Sequence, residues 1–198
     1  MLKPKQHAIL LVGVDEEVRP DLATAFEARG SGVYWIDVPF TVSTDGSGVV
    51  STESEAGIIE ELDRQCQSIG RIDVLVNCVS FNVEGDSVPR PSFAAIHAAA
   101  LMQLSRPLKA VLPGMIIRQK GHIIALVARG SDRTDSESYD AAASAAATIS
   151  HRINEAVNGD NIRSDVLLHQ GSYIDPQKMG FIETLVKLAI PKAMSDCD

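Results

Sequence analysis

No stretch of this 198-residue chain stays apolar for the roughly 18 residues that a membrane span needs. The first apolar run, His7 to Val14, gives way at once to Asp15-Glu16-Glu17. It reads as a first strand rather than a secretory leader, which would end in small residues. Positive charge is also scarce: 18 Lys and Arg against 26 Asp and Glu leave a net charge of −8. That balance repels a phosphate backbone unless a local basic patch offsets it, and none stands out, so no nucleic-acid partner is expected. Only three cysteines occur, Cys66, Cys78 and Cys197, with no paired spacing of the metal-binding kind. So sparse and odd a count suits reduced thiols in a cytoplasm. The histidines, at 7, 97, 122, 151 and 169, share no ligand spacing, and no metal site is expected.

What is present is an ordinary globular composition, 45% hydrophobic and 22% charged, enough for one core and a single domain over residues 1–198. Apolar periodicity alternates between strand and helix. After the first strand, Leu22, Ala23, Ala25 and Phe26 repeat at helical spacing, and Gly30 and Gly32 stop the helix. Val33 to Val38 is a second strand. Val49-Val50 is a short third one after a polar loop, and Ser54 to Ser68 is a helix. Ile72 to Asn77 is a buried strand by its continuous apolar run. Phe93 to Arg118 is a long helix in which Pro107 and Pro113 should produce kinks. Gly121 to Ala128, the alanine-rich stretch Tyr139 to Val157, and Ile162 to Leu168 form a strand–helix–strand unit. Phe181 to Ile190 is a last amphipathic helix, followed by Pro191. The expected fold is α/β: a doubly wound, Rossmann-like parallel sheet of about six strands.

A strand, turn, helix and strand with an acid, here Asp37, about 20 residues beyond the first turn is the dinucleotide-binding layout. Four pieces then carry a resemblance over nearly the whole chain: Ile72 to Asn77, Gly121 to Val127, Ser138 to Ala142, and the turn from Asn158 to Arg163. In order and spacing they resemble the short-chain dehydrogenase/reductase family. The resemblance implies hydride transfer between NAD(P) and an alcohol or ketone. It also implies a longer lid over the active site and a further strand after the last helix. Neither is evident here, so the substrate lid is expected to be short and the sheet truncated at its C-terminal side.

The residues that the resemblance makes functional are mostly replaced. The family's first turn has three glycines: one for the tight turn, one for the approach of backbone to pyrophosphate, one for helix–strand packing. Here those positions read Gly13, Glu17 and Arg19. Glu17 adds bulk and negative charge where a dianion would lie, and Asp15-Glu16-Glu17 itself complements the helix dipole. Asp37 stands where a ribose hydroxyl would be bound. Asn77 matches the family's asparagine after the fourth strand, a residue that also commonly ties backbone groups together. Ser80 replaces a glycine beside the cofactor.

The implied catalytic set is asparagine, serine, tyrosine and lysine; here it reads Ala100, Ala128, Tyr139 and Ala143. Tyrosine ordinarily ionises near pH 10, and the lysine's charge brings it toward working pH. Without that cation Tyr139 is expected to stay protonated. His169-Gln170-Gly171 stands where the family has a Pro-Gly turn. The expectation is therefore a catalytically inactive chain that binds no dinucleotide. It would pair through the helices near 93–118 and 139–158 with an active paralogue that holds NAD. Two other readings remain open. One is a stand-alone binding or sensing module, with a small ligand in the space left by Ala100, Ala128 and Ala143. The other is an enzyme with an unrelated mechanism using Tyr139 or His169.

Overall fold

A computed structural model of the chain describes residues 6–14, 16–36, 55–79, 92–128, 136–157, 161–169 and 178–190. Strands and helices alternate: β1 (Ala8–Val12), α1 (Arg19–Glu27), β2 (Gly32–Ile36), α2 (Glu55–Ile69), β3 (Val74–Val79), α3 (Phe93–Arg118), β4 (Lys120–Ala128), α4 (Ser136–Ala156), β5 (Asn161–His169) and α5 (Lys178–Ala189). The strands form one five-stranded sheet in the order β2-β1-β3-β4-β5, parallel at every pairing. Five strands, not about six, lie among the described residues; the expected Val49–Val50 strand falls outside them.

The doubly wound arrangement follows from burial on both faces. Every residue of β3 is buried, as a central parallel strand requires. On one face Ile9, Leu11, Val76 and Leu126 pack against Leu22 and Phe26 of α1 and Leu185 and Val186 of α5. Phe26 is wholly buried, which contributes roughly 1.5–3 kcal/mol relative to exposure. On the other face Leu10, Leu75 and Ile123 meet α2, the C-terminal half of α3 and the end of α4. Nearer the C-terminal ends of the strands, Val79, Ala125 and Val127 meet Ala100 and Leu104 of α3 and Ala142, Ala145 and Ala146 of α4. Small side chains on both helices let them lie close together there.

Local chemistry sets the boundaries. The Ser92 side chain accepts from the backbone N–H of Ala95 at 3.3 Å and starts α3. Gln119, at φ 50°, ends it in the left-handed conformation, and β4 begins at the next residue. Gly121 then lies directly under Met115, whose side chain occupies the space a Cβ would need. The last carbonyls of α5 are capped by cations from two directions. Arg29 donates to Val186 and Ile190 at 3.1 and 3.4 Å, and Arg163 donates to Leu188 at 2.8 Å. Positive charge is favourable at that end of a helix dipole.

The chain leaves β1 toward β2 on one side and returns to β3 on the other. The carboxyl ends of β1 and β3, at Gly13 and at Asn77–Val79, therefore flank the topological switch point, where open α/β sheets bind ligands.

Candidate functional site

The first turn at the switch point is built around Gly13. Its φ is +66°, and a Cβ there would lie 2.9 Å from the carbonyl oxygen of Cys78 on β3. Its N–H donates to the Ile36 carbonyl at 3.2 Å. Gly13 thus meets a demand of the sheet itself: backbone passes backbone here, with no side chain between. Val18, fully buried, anchors the start of α1. Arg19 follows, and its Nε donates to the Val14 carbonyl at 2.8 Å, folding the side chain back over the turn. Glu16 and Glu17 are exposed beside it. A turn with one glycine, a glutamate next to the helix start and an arginine drawn onto its own backbone does not suit a pyrophosphate. The cradle needs bare N–H groups and a close approach of backbone to anion. Asp15, Asp37 and Ser80 lie outside the described residues.

Asn77 sits at the centre of the site, 2% exposed. Its side-chain amide donates to the main-chain carbonyls of Gln103 at 3.2 Å and Leu104 at 3.1 Å. In an α-helix the Gln103 carbonyl would accept from residue 107, which is Pro107 and has no N–H. The asparagine fills that vacancy, and α3 continues as one helix through Pro107 and Pro113. At Pro113 the corresponding carbonyl belongs to Lys109, an exposed residue that water can satisfy. The structure thus joins residues that sequence reasoning read separately, an asparagine at a strand end and a proline in a helix.

Of the four expected catalytic positions, the fold brings two together. Ala100 is fully buried in the small-residue cluster between α3 and α4, and the Tyr139 ring packs against that cluster. The Tyr139 hydroxyl oxygen is buried. Ala128, at the end of β4, belongs to the opposite face, in the cluster that contains Phe181 and Ile182 of α5. Ala143 is half-buried on α4. Methyl groups can neither move a proton nor polarise a carbonyl, so only Tyr139 of the four carries a polar group. His169 is buried, its ring tilted against that of Phe181 with centroids 4.4 Å apart; Gln170 and Gly171 lie outside the described residues.

No protein-family model matches the chain, and no curated protein matches its sequence. Solved structures do match its fold. A short-chain dehydrogenase/reductase oxidoreductase from Brucella ovis superposes with a TM-score of 0.66 at 14% identity, covering 95% of this chain and 95% of that one. A second, from Burkholderia thailandensis, gives a TM-score of 0.65 at 17% identity over 96% and 87%. NAD+-bound xylitol dehydrogenase gives 0.61 at 18% identity over 94% and 76%. At such identities the likeness is one of fold: the chain has the Rossmann-like α/β architecture of short-chain dehydrogenase/reductases, as its residues led us to expect.

Proposed function

We propose that this chain is a catalytically inactive member of the short-chain dehydrogenase/reductase family. In this reading it serves as the non-catalytic subunit of a hetero-oligomeric NAD-dependent alcohol or hydroxyacyl-CoA dehydrogenase. The observation that carries the reading is the emptiness of the chemical positions on an otherwise intact fold. Where the resemblance calls for asparagine, serine and lysine, the chain has Ala100, Ala128 and Ala143. Fold and site are separable, since apolar patterning specifies the sheet while a few side chains carry the reaction. The chain itself holds no dinucleotide in this account, and NAD belongs to the active partner. Support for that comes from the first turn, where Glu17 and Arg19 replace two glycines.

In this reading the partner docks on the helices near 93–118 and 139–158. α3 leaves Phe93, Met102, Ile116 and Ile117 exposed, the last at 83%, which is apolar area that pairing would cover. One active and one inactive chain are combined in 2-[hydroxy(phenyl)methyl]-succinyl-CoA dehydrogenase of anaerobic toluene degradation. The sequence resembles that arrangement, and we take its inactive subunit as the specific form of the proposal. Calorimetric titration of the purified chain with NADH and NADPH tests the cofactor half of the reading. The expected result is no heat of binding; micromolar affinity for either would overturn it.

A further inference from the structure

A second concave site lies at the opposite end of the sheet from the switch point, among the starting residues of β3, β4 and β5. It is a cavity of ≈ 260 Å³ whose wall includes His7, Asp73, Lys120, His122 and Arg163, with Val74 and Ile162 as its apolar part. Residues His7 and His122 are more than nine-tenths buried, at 8% and 5% exposure.

The polar groups of this wall divide into those with partners and those without. Asp73 accepts from the Ala8 N–H at 2.9 Å and from Arg71 Nε at 3.0 Å. His122 uses both ring nitrogens, Nε2 with Asp165 at 2.8 Å and Nδ1 with Arg163 at 3.2 Å. The ring is thus held between an acid and a guanidinium, and the Ala189 carbonyl also bonds to it. Arg163 also holds the Leu188 carbonyl. Two groups remain. Neither the His7 ring nor the Lys120 ammonium has a hydrogen bond or an ion pair among the described residues. Both line the same cavity; the proton affinity of His7 is lowered first by burial and then by the Lys120 and Arg71 cations, against the Asp73 carboxylate, which raises it. Burial favours the neutral His7 ring, which still offers one N–H, and the Lys120 ammonium has no ion-pair partner among the described residues.

We propose that this cavity binds a small monocarboxylate with a short aliphatic body. One unmatched positive charge calls for one negative charge. A dianion such as phosphate would bring a second charge toward the Asp73 carboxylate. The ligand's two oxygens take the Lys120 ammonium and the His7 N–H, and its carbons lie on Val74 and Ile162. The volume is below the roughly 300–1,000 Å³ of pockets that enclose drug-sized molecules, and so suits a short chain. This site is independent of the dinucleotide question, since it sits at the other end of every strand.

The test is a titration of the full chain with sodium butyrate at constant ionic strength, following the His7 ring resonances by NMR, with inorganic phosphate and chloride run in parallel. Butyrate is expected to give a saturable shift at His7. Lys120→Gln, a change at an exposed side chain that leaves the circular dichroism and Tm unchanged, is expected to weaken binding about tenfold, as loss of one charge-assisted hydrogen bond does. A non-saturating drift like that given by chloride overturns the proposal. So does undiminished binding by the Lys120→Gln chain. Tighter binding of phosphate than of butyrate overturns the choice of a monocarboxylate.

Discussion

The amide of Asn77 stands in for the N–H that Pro107 lacks. It reaches from β3 to the Gln103 carbonyl of α3 at 3.2 Å and shares a second bond with Leu104 at 3.1 Å. A buried carbonyl without a donor is destabilising by about 1–3 kcal/mol, and here a proline in a helix and an asparagine in a strand cancel each other's defect. Asn77→Ala is accordingly expected to destabilise the fold by about 1–3 kcal/mol in urea unfolding. In a Pro107→Ala background, where residue 107 regains its N–H, the same change should lose much of its effect. Equal losses in both backgrounds would show that the two residues are not coupled.

Gly13 should prove to be a residue of the sheet. At φ +66°, with the Cys78 carbonyl 2.9 Å from where a Cβ would go, Gly13→Ala combines backbone strain with a clash. The expected loss is about 1–3 kcal/mol or more, measured by thermal unfolding in the absence of any ligand. A neutral substitution would contradict the packing described here.

Stability should fall on mild acidification. The imidazoles of His122 and His7 both titrate below their ordinary value of 6.5. For His122 the causes are burial first and then the Arg163 guanidinium, opposed by the bond to Asp165. For His7 the cause is burial, opposed by Asp73 and reinforced by Lys120 and Arg71. Below pH 6.5 the unfolded chain takes up protons that the folded chain refuses, so the contribution is complete above that pH and disappears as pH falls through the folded values. Unfolding free energy measured from pH 7.5 to 5 should decline, and the decline should be shallower in His122→Gln. An identical slope in both proteins would remove His122 from the explanation.

Cys66 should resist alkylation. Burial pushes its thiol up to about 11, with the Asp63 carboxylate adding to the effect, and only the thiolate is nucleophilic. Iodoacetamide at pH 8 followed by peptide mapping is expected to leave Cys66 unmodified in the folded chain and to label it in urea. Rapid labelling without urea would contradict the burial assigned to α2.

Much of the fold was legible because it is written in local signals. The continuous apolar runs at Ile72–Asn77 and Gly121–Ala128, the glycines at 30 and 32, and the helical repeat through Phe26 each report on a few neighbouring residues, and the observed elements agree with them within a few positions. The partners of Asn77 were not legible, since the residues it bonds are more than twenty positions away. Nor was the facing of Ala128. β4 is buried on both faces from Gly121 onward, so no alternation of polar and apolar residues marks which side each side chain takes. The cavity between His7 and Lys120 was hidden for the same reason: it is assembled from the beginnings of strands that the sequence keeps far apart.

The central claim concerns what travels with this chain, and the direct measurement is its isolation from native extract under gentle conditions, with mass spectrometry of the whole assembly. The account predicts a second dehydrogenase in fixed stoichiometry, with an intact glycine-rich first turn and a Tyr-x-x-x-Lys helix, and with the NAD-dependent activity residing in that partner. Recovery of this chain alone, as a homodimer or homotetramer, would contradict it.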